Sequence, residues 1–376
     1  MLSRRENFLA TLRKQSHDYM PSAFVIDNMN FPGSFPPDIF DVRIAFDIEH
    51  SIKFQKRLGF DVIFRCSPSG IRETATGSLW SDDPSGGRIC KTPIGILHSD
   101  KPAQPSEPML CGGREILLKK PEDYDILAWI FEHYRYEIDE PSVAVCQRQL
   151  DILGDDGILY VNPPCSAVMD IVRSWAGIQE FIYALNDYPN KVENLINIAI
   201  ERYCEQYQLI CQTTPAEVLT FWDDATTSLL SRDIFAKYCL PNLKRYADIS
   251  HQYGKVLINH TCGKIKGFAD LYGTAEQDAI DWLAVPPTGD MNLSLAERMW
   301  NGKVTPMVTP DPNIIRYGDL DTVSSHITNM LDGVDTSKVI VLLPCPQGTP
   351  LETTKLMAHI LADRYGTRFE GDLLRN

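Results

Sequence analysis

A histidine and two cysteines stand where metal chemistry could use them. The run Val256-Leu257-Ile258-Asn259-His260-Thr261-Cys262-Gly263 ends an apolar, strand-like stretch with His-x-Cys, and Leu342-Leu343-Pro344-Cys345-Pro346 ends another with a lone Cys. In a closed barrel the two strand ends would share a rim, so His260, Cys262 and Cys345 could converge. One imidazole and two thiolates suit Zn2+, and three protein ligands leave one position open, as catalytic zinc requires. Gly263 lets the backbone turn away without a side chain, and Pro344 and Pro346 hold Cys345 extended. Two thiolates balance the dication, so a substrate thiolate would make the centre net negative. That keeps its sulfur nucleophilic near neutral pH, where a free thiol of pKa about 8.5 is mostly protonated. The plainer alternative is a satisfied core histidine with two cysteines as buried filler.

Four polar residues at neighbouring strand ends are candidates for the same site. Asp223 and Asp224 follow Phe221-Trp222 onto the expected rim, as partners for substrate, as groups fixing His260, or as helix-capping carboxylates. Tyr160 and Asn162 end the strand before them and are candidate substrate-binding residues. Trp282 and Trp300 read as packing residues.

The elements that must position these residues alternate. Ser3-Arg4-Arg5-Glu6 is a capping-box pattern and opens an amphipathic helix with Phe8, Leu9 and Leu12. Strand-like runs follow at Ala23–Asp27, Asp61–Phe64, Ile158–Val161, Val218–Trp222, Val256–Asn259, Ala279–Leu283, Val304–Val308 and Val339–Leu343. Helical stretches are expected near Ile44–Leu58, Glu122–Tyr136, Asn190–Gln212 and Arg232–His251, then at Lys264–Tyr272, Ser294–Trp300, Leu320–Leu331 and Leu351–Tyr365. Eight such strands, most followed by a helix, argue for a (β/α)8 TIM barrel, whose chemistry sits at the C-terminal strand ends. No Gly-rich first turn of the doubly wound alternative is present. Residues Ile71–Leu97 carry Gly-punctuated alternation and read as hairpins, so the expectation is one barrel domain over 1–376, with an N-terminal helical extension and a hairpin and loop insertion over 70–120.

Composition narrows the partners. The 376 residues include 36 Lys plus Arg against 50 Asp plus Glu, a net charge of −14. Such a surface repels nucleic acid and anionic lipid. No apolar run reaches the roughly 18 to 20 residues of a membrane span. The charged N-terminus lacks a signal-peptide core, so a cytoplasmic location is expected, with the ten cysteines reduced.

Several segments together resemble the uroporphyrinogen decarboxylase superfamily of (β/α)8 barrels. They are Arg4-Arg5-Glu6-Asn7-Phe8-Leu9-Ala10-Thr11-Leu12-Arg13, Phe221-Trp222-Asp223-Asp224, the stretch Ser231–Tyr246 with Leu240-Pro241-Asn242-Leu243-Lys244, and His260-Thr261-Cys262-Gly263. The likeness covers most of the chain and is firmer from Tyr160 onward. The decarboxylases carry an Arg-Gln-Ala-Gly-Arg run that holds porphyrinogen carboxylates, whereas Ser22–Phe35 contains no Arg or Lys, so decarboxylation is disfavoured. The corrinoid-dependent methyltransferase branch is similar at His-x-Cys plus a distant Cys on zinc, which His260, Cys262 and Cys345 match; Lys91-Thr92-Pro93-Ile94-Gly95 also resembles that branch.

The resemblance implies Zn2+ as cofactor and methyl transfer between a corrinoid (methylcobalamin on a small partner protein) and a zinc-activated acceptor such as a thiol. It leaves open a small-molecule methyl donor or acceptor, the direction of transfer, and a homodimer. A fourth-ligand carboxylate of some relatives has no counterpart in Ala225–Leu230, which lacks Glu. Asp248–Gly254 has one residue too many for a cobalt-ligating Asp-x-His-x-x-Gly and reads as a helix end, so the corrinoid is expected on the partner. The alternatives are a metal-free decarboxylase and a non-catalytic barrel that binds a corrinoid carrier.

Overall fold

The opening capping box forms as expected. Ser3 Oγ accepts the Glu6 N–H at 3.1 Å while Glu6 Oε2 accepts the Ser3 N–H at 2.8 Å, and helix α1 (Arg4–Leu12) follows. The computed structural model describes residues 1–25, 48–66, 69–84, 87–99, 116–346 and 348–374. The parts of the first expected strand and helix within 26–47, and the 100–115 part of the expected insertion, lie outside them.

Eight strands form the centre: β1 (Ser22–Val25), β2 (Val62–Cys66), β3 (Gly157–Val161), β4 (Val218–Trp222), β5 (Val256–His260), β6 (Ala279–Ala284), β7 (Thr305–Thr309) and β8 (Ile340–Pro344). Their order is β1-β8-β7-β6-β5-β4-β3-β2, with every pair parallel. At the remaining seam the Asp61 N–H donates to the Ser22 carbonyl at 3.0 Å. With helices around it, this is the expected (β/α)8 barrel.

Strand alternation sorts the side chains into two layers. Ile63, Ile158, Val218, Ile258, Met307 and Leu342 fill the interior, closed from below by Phe8, Leu9 and Leu12 of α1. The alternate residues, such as Leu219, Leu257 and Val341, pack outward in the layer beneath the helices. No helix among the described residues is long and apolar enough to cross a membrane.

Several local expectations need correction. Trp80–Asp82, Arg88–Thr92 and Gly95–His98 do form an antiparallel sheet. The helix expected to Tyr136 stops at His133, however, and Tyr136–Ile138 pairs with Ile71–Glu73 as an unanticipated strand. Helix Glu140–Leu153 was also missed, because its buried face is Ser142, Cys146 and Gln149 as much as Leu150 and Leu153. That face carries little hydrophobic periodicity. The single helix expected over Arg232–His251 contains a wide π turn at Phe235–Cys239, which ends two residues before Pro241, a residue with no N–H to continue the ladder.

A buried polar knot ties α1 to the barrel floor. Asp61 accepts from Tyr19 Oη at 2.6 Å and the Ser22 N–H at 3.0 Å, and Arg4 Nη1 lies 3.5 Å away. Burial outweighs these partners and pushes the Asp61 carboxyl up to about 6. Between the usual 3.8 and about 6 the unfolded chain has released this proton while the folded chain retains it, so Asp61 makes stability fall as pH rises through that window. Chemical denaturation across this range should show Asp61→Asn removing part of the fall; an identical slope in the variant would contradict the assignment.

Candidate functional site

The His-x-Cys spacing equals the strand period, so β5 carries both side chains to one side. Val256 and Ile258 point into the barrel, and His260 and then Cys262 continue that row at its C-terminal mouth. His260 Nε2 lies 3.0 Å from Cys262 Sγ. Asp224 continues the inward row of β4 in the same way, at a left-handed φ of 52°. Its Oδ1 is 3.7 Å from His260 Nε2 and accepts the Cys262 N–H at 3.4 Å. The ligand atoms of Asp224, His260 and Cys262 all lie within 4.8 Å of one another, the one such group among the described residues. Gly263 leaves the site at φ 86°, a backbone conformation that L side chains rarely adopt.

A bulge in β6 completes the arrangement. The β6–β7 register shifts between Ile280 and Leu283, and Trp282 takes φ 56°. Asp281 and Trp282 therefore both reach the mouth despite being consecutive. Asp281 Oδ1 lies 2.6 Å from His260 Nδ1, out of line with the ring N–H, so the contact is an ion pair more than a directed hydrogen bond. Burial disfavours a charged His260, but Asp281 and Cys262 outweigh it and hold the imidazole well above its usual value. Burial raises the Cys262 thiol, opposed by His260.

Around this group the mouth is aromatic and cationic. The Trp222 and Trp282 rings lie 5.2 and 5.9 Å from the His260 ring. The Arg65 guanidinium, from the end of β2, sits 4.8 Å over Trp222. Arg173 Nη1 bridges the Trp222 carbonyl at 2.5 Å and Asp224 Oδ2 at 3.4 Å.

The other sequence candidates are placed as follows. Tyr160 is an inward residue of β3, packed on the interior layer. Asn162 follows it and its amide donates to the Thr220 carbonyl, while its Oδ1 is buried without a protein partner. Asp223 is fully buried; its Oδ1 accepts the Ser166 N–H at 2.9 Å, and burial pushes it up to about 6. Asp224, not Asp223, enters the group. Cys345 does not join it: the thiol is buried in the outer layer, 3.9 Å from Thr354 Oγ1 on the helix Leu351–Tyr365, and burial pushes it up to about 11.

Sequence reasoning passed over Asp281, Arg173 and Arg65, and gave Trp282 only a packing role. Parity along β6 and the end of β2 was the available signal for two of them. The β6 bulge had none.

Fold and site together define a (β/α)8 barrel with an imidazole, a thiol and a carboxylate gathered at the C-terminal mouth. Residues 160–363 match the uroporphyrinogen decarboxylase (URO-D) family model, more than half the chain, and the protein belongs to that family. No curated protein matches the sequence significantly. Among solved structures, a methyltransferase from Methanosarcina mazei is similar at a TM-score of 0.62 and 14% identity, over 97% of this chain and 100% of that one; this likeness is one of fold. A putative vitamin-B12-independent methionine synthase from Listeria monocytogenes matches at a TM-score of 0.40 and 11% identity, over 90% and 94% of the two chains, too distant to carry argument.

The exposure difference between the two candidate thiols can be tested directly. Cys262 is half-buried and Cys345 is 1% exposed. Brief iodoacetamide treatment of the native protein followed by peptide mass mapping should show Cys262 modified well before Cys345. Equal rates would mean that the end of β8 opens readily.

Proposed function

We propose that the protein is a zinc-dependent methyltransferase that moves a methyl group between a corrinoid on a partner protein and a small acceptor such as a thiol. The observation that carries this reading is the His260–Cys262–Asp224 group at the barrel mouth. Its donors are nitrogen, sulfur and oxygen, the set zinc takes, and a tetrahedral zinc site spaces N and S donors by about 3.5 Å, close to the separations here. The charges agree as well. Two carboxylates and a thiol surround one imidazole, and Arg173 pairs with one of the carboxylates, so a bound dication would offset local negative charge.

Zinc held by His260 and Cys262 would supply Lewis acidity that keeps an acceptor thiol deprotonated near neutral pH. The residues of the chain then do the positioning. Asp281 fixes the His260 ring through Nδ1 and directs Nε2 to the mouth, as carboxylates behind metal-bound imidazoles do. Arg173 holds Asp224 in place, and Tyr160 and Asn162, at the end of β3 two strands away, would meet the acceptor. The resemblance makes Cys345 the third zinc ligand, which requires its thiol to leave Thr354. Asp224 stands within reach without such a movement.

Metal analysis of purified protein should give about one zinc per chain, and Cys262→Ala should lose both the zinc and thiol-dependent demethylation of methylcobalamin. Asp281→Asn should bind zinc about 10 to 100-fold more weakly while folding normally. Comparing Cys345→Ser with Asp224→Asn shows which of the two completes the site. Full zinc and full activity in Cys262→Ala would refute the assignment.

A further inference from the structure

A second cavity, of 360 Å³, opens beside the loop that follows β3. Its walls are aromatic: Trp80, Phe131, Tyr134, Tyr136, Trp175 and Tyr203. The rings form a continuous surface, with Trp175 5.9 Å from both Trp80 and Phe131, Phe131 5.9 Å from Tyr203, and Tyr134 5.8 Å from Tyr136. The charged lining residues are the carboxylates Glu73 and Asp170; no Lys, Arg or His is among them.

The two carboxylates are built in rather than adventitious. Asp170 accepts from Ser174 Oγ at 2.8 Å, from Trp175 Nε1 at 3.1 Å and from Tyr203 Oη. It thereby fixes the orientation of two rings of the wall. Glu73 Oε1 accepts the Ala75 and Thr76 N–H groups at 2.7 and 2.8 Å. The field reaches the phenols. Burial first, then Asp170 and Glu73, push the Tyr134 hydroxyl far above its usual value, and the Arg88 guanidinium opposes them only in part. The Trp80 ring already takes a cation, since the Arg88 guanidinium, which is not a lining residue, lies 4.9 Å from its centroid.

Aromatic faces and carboxylates with no basic lining residue reject anions, and the wall offers an apolar ligand no reason for two half-buried carboxylates. A cation with an apolar shell matches both features, because ring quadrupoles and carboxylates each attract it without demanding that it donate hydrogen bonds. The volume suits a small ligand. We propose that this cleft binds a methylated ammonium cation of the choline type, at a site separate from the His260–Cys262–Asp224 group and independent of the function proposed above.

Calorimetric titration of the full-length protein with choline and with its neutral isostere 3,3-dimethylbutan-1-ol tests this. Choline should bind at least about tenfold more tightly than the isostere, the difference being the charge on the rings and carboxylates. Glycine betaine, whose carboxylate would face Glu73 and Asp170, should bind more weakly than choline. Free Nε-trimethyllysine binding more tightly than choline would keep the chemistry and make a modified protein side chain the source.

Glu73→Gln keeps the acceptor for Ala75 and Thr76, and should weaken choline several-fold without lowering the melting temperature. Trp80→Leu, in the peripheral hairpin sheet, should do the same from the aromatic side. Equal affinity for choline and the neutral isostere overturns the proposal, as does the absence of choline binding at tens of millimolar. Zinc content and methylcobalamin turnover are measured separately, so failure here leaves the metal site unaffected.

Discussion

The contact between His260 Nδ1 and Asp281 Oδ1, at 2.6 Å, is the constraint on which the mouth of the barrel depends. An imidazole has two nitrogens, and what holds one determines what the other can do. With Nδ1 against a carboxylate, Nε2 is left facing Cys262 and Asp224. The carboxylate reaches that position as the inward residue of β6 in register with His260, and the bulge that follows, with Trp282 at positive φ, adds a second ring to the same mouth. Strain and a lost ladder contact at the bulge are offset by the Trp282 ring it sets 5.9 Å from the His260 ring.

The interior of the barrel is divided along its axis. Its lower part is apolar, from Phe8 and Leu12 up through Val218, Val256 and Met307, and buries enough surface to hold the strands together. Its upper part replaces these with Asn162, Thr220, His260, Asp281 and Thr309, several of which have buried polar atoms without a protein partner. Such atoms are costly in a core and are tolerated where a ligand or substrate can meet them. The π turn Ile171–Ala176 connects this mouth to the aromatic cleft, since Arg173 reaches Asp224 while Trp175 lines the cleft.

Much of the scaffold was legible because it rests on local physics. Apolar runs such as Val218–Trp222 and Val256–Asn259 are buried on both faces in a parallel barrel and stand out without alternation. His260 and Cys262 were legible for a related reason, as two donors at the spacing of a strand. The elements that escaped notice depend on tertiary context. Helix Glu140–Leu153 buries Ser, Cys and Gln, and Tyr136–Ile138 becomes a strand only because Ile71–Glu73 lies beside it. Asp281 has the inward parity of its strand, but nothing in Ala279-Ile280-Asp281-Trp282 signals the bulge that turns Trp282 to the same mouth.

The difference between Asp224 and Cys345 follows from counting along a strand. In β4 the inward residues are Val218, Thr220 and Trp222, and Asp224 is next in the row. In β8 they are Ile340 and Leu342, followed by Pro344, so Cys345 falls on the outward side and packs on the helix Leu351–Tyr365. A shift of one residue exchanges the two faces of a strand. Cys345 could therefore reach the mouth only by a change in backbone path at the end of β8, where Pro344 is the last residue paired with β1. Such a change would move the thiol from a layer where burial pushes it up to about 11 into one where the imidazole and Arg173 are opposed by Asp224 and Asp281, so that a thiolate there needs a bound dication to balance it. Thiolate formation at Cys345 and its movement to the mouth would then both depend on the metal.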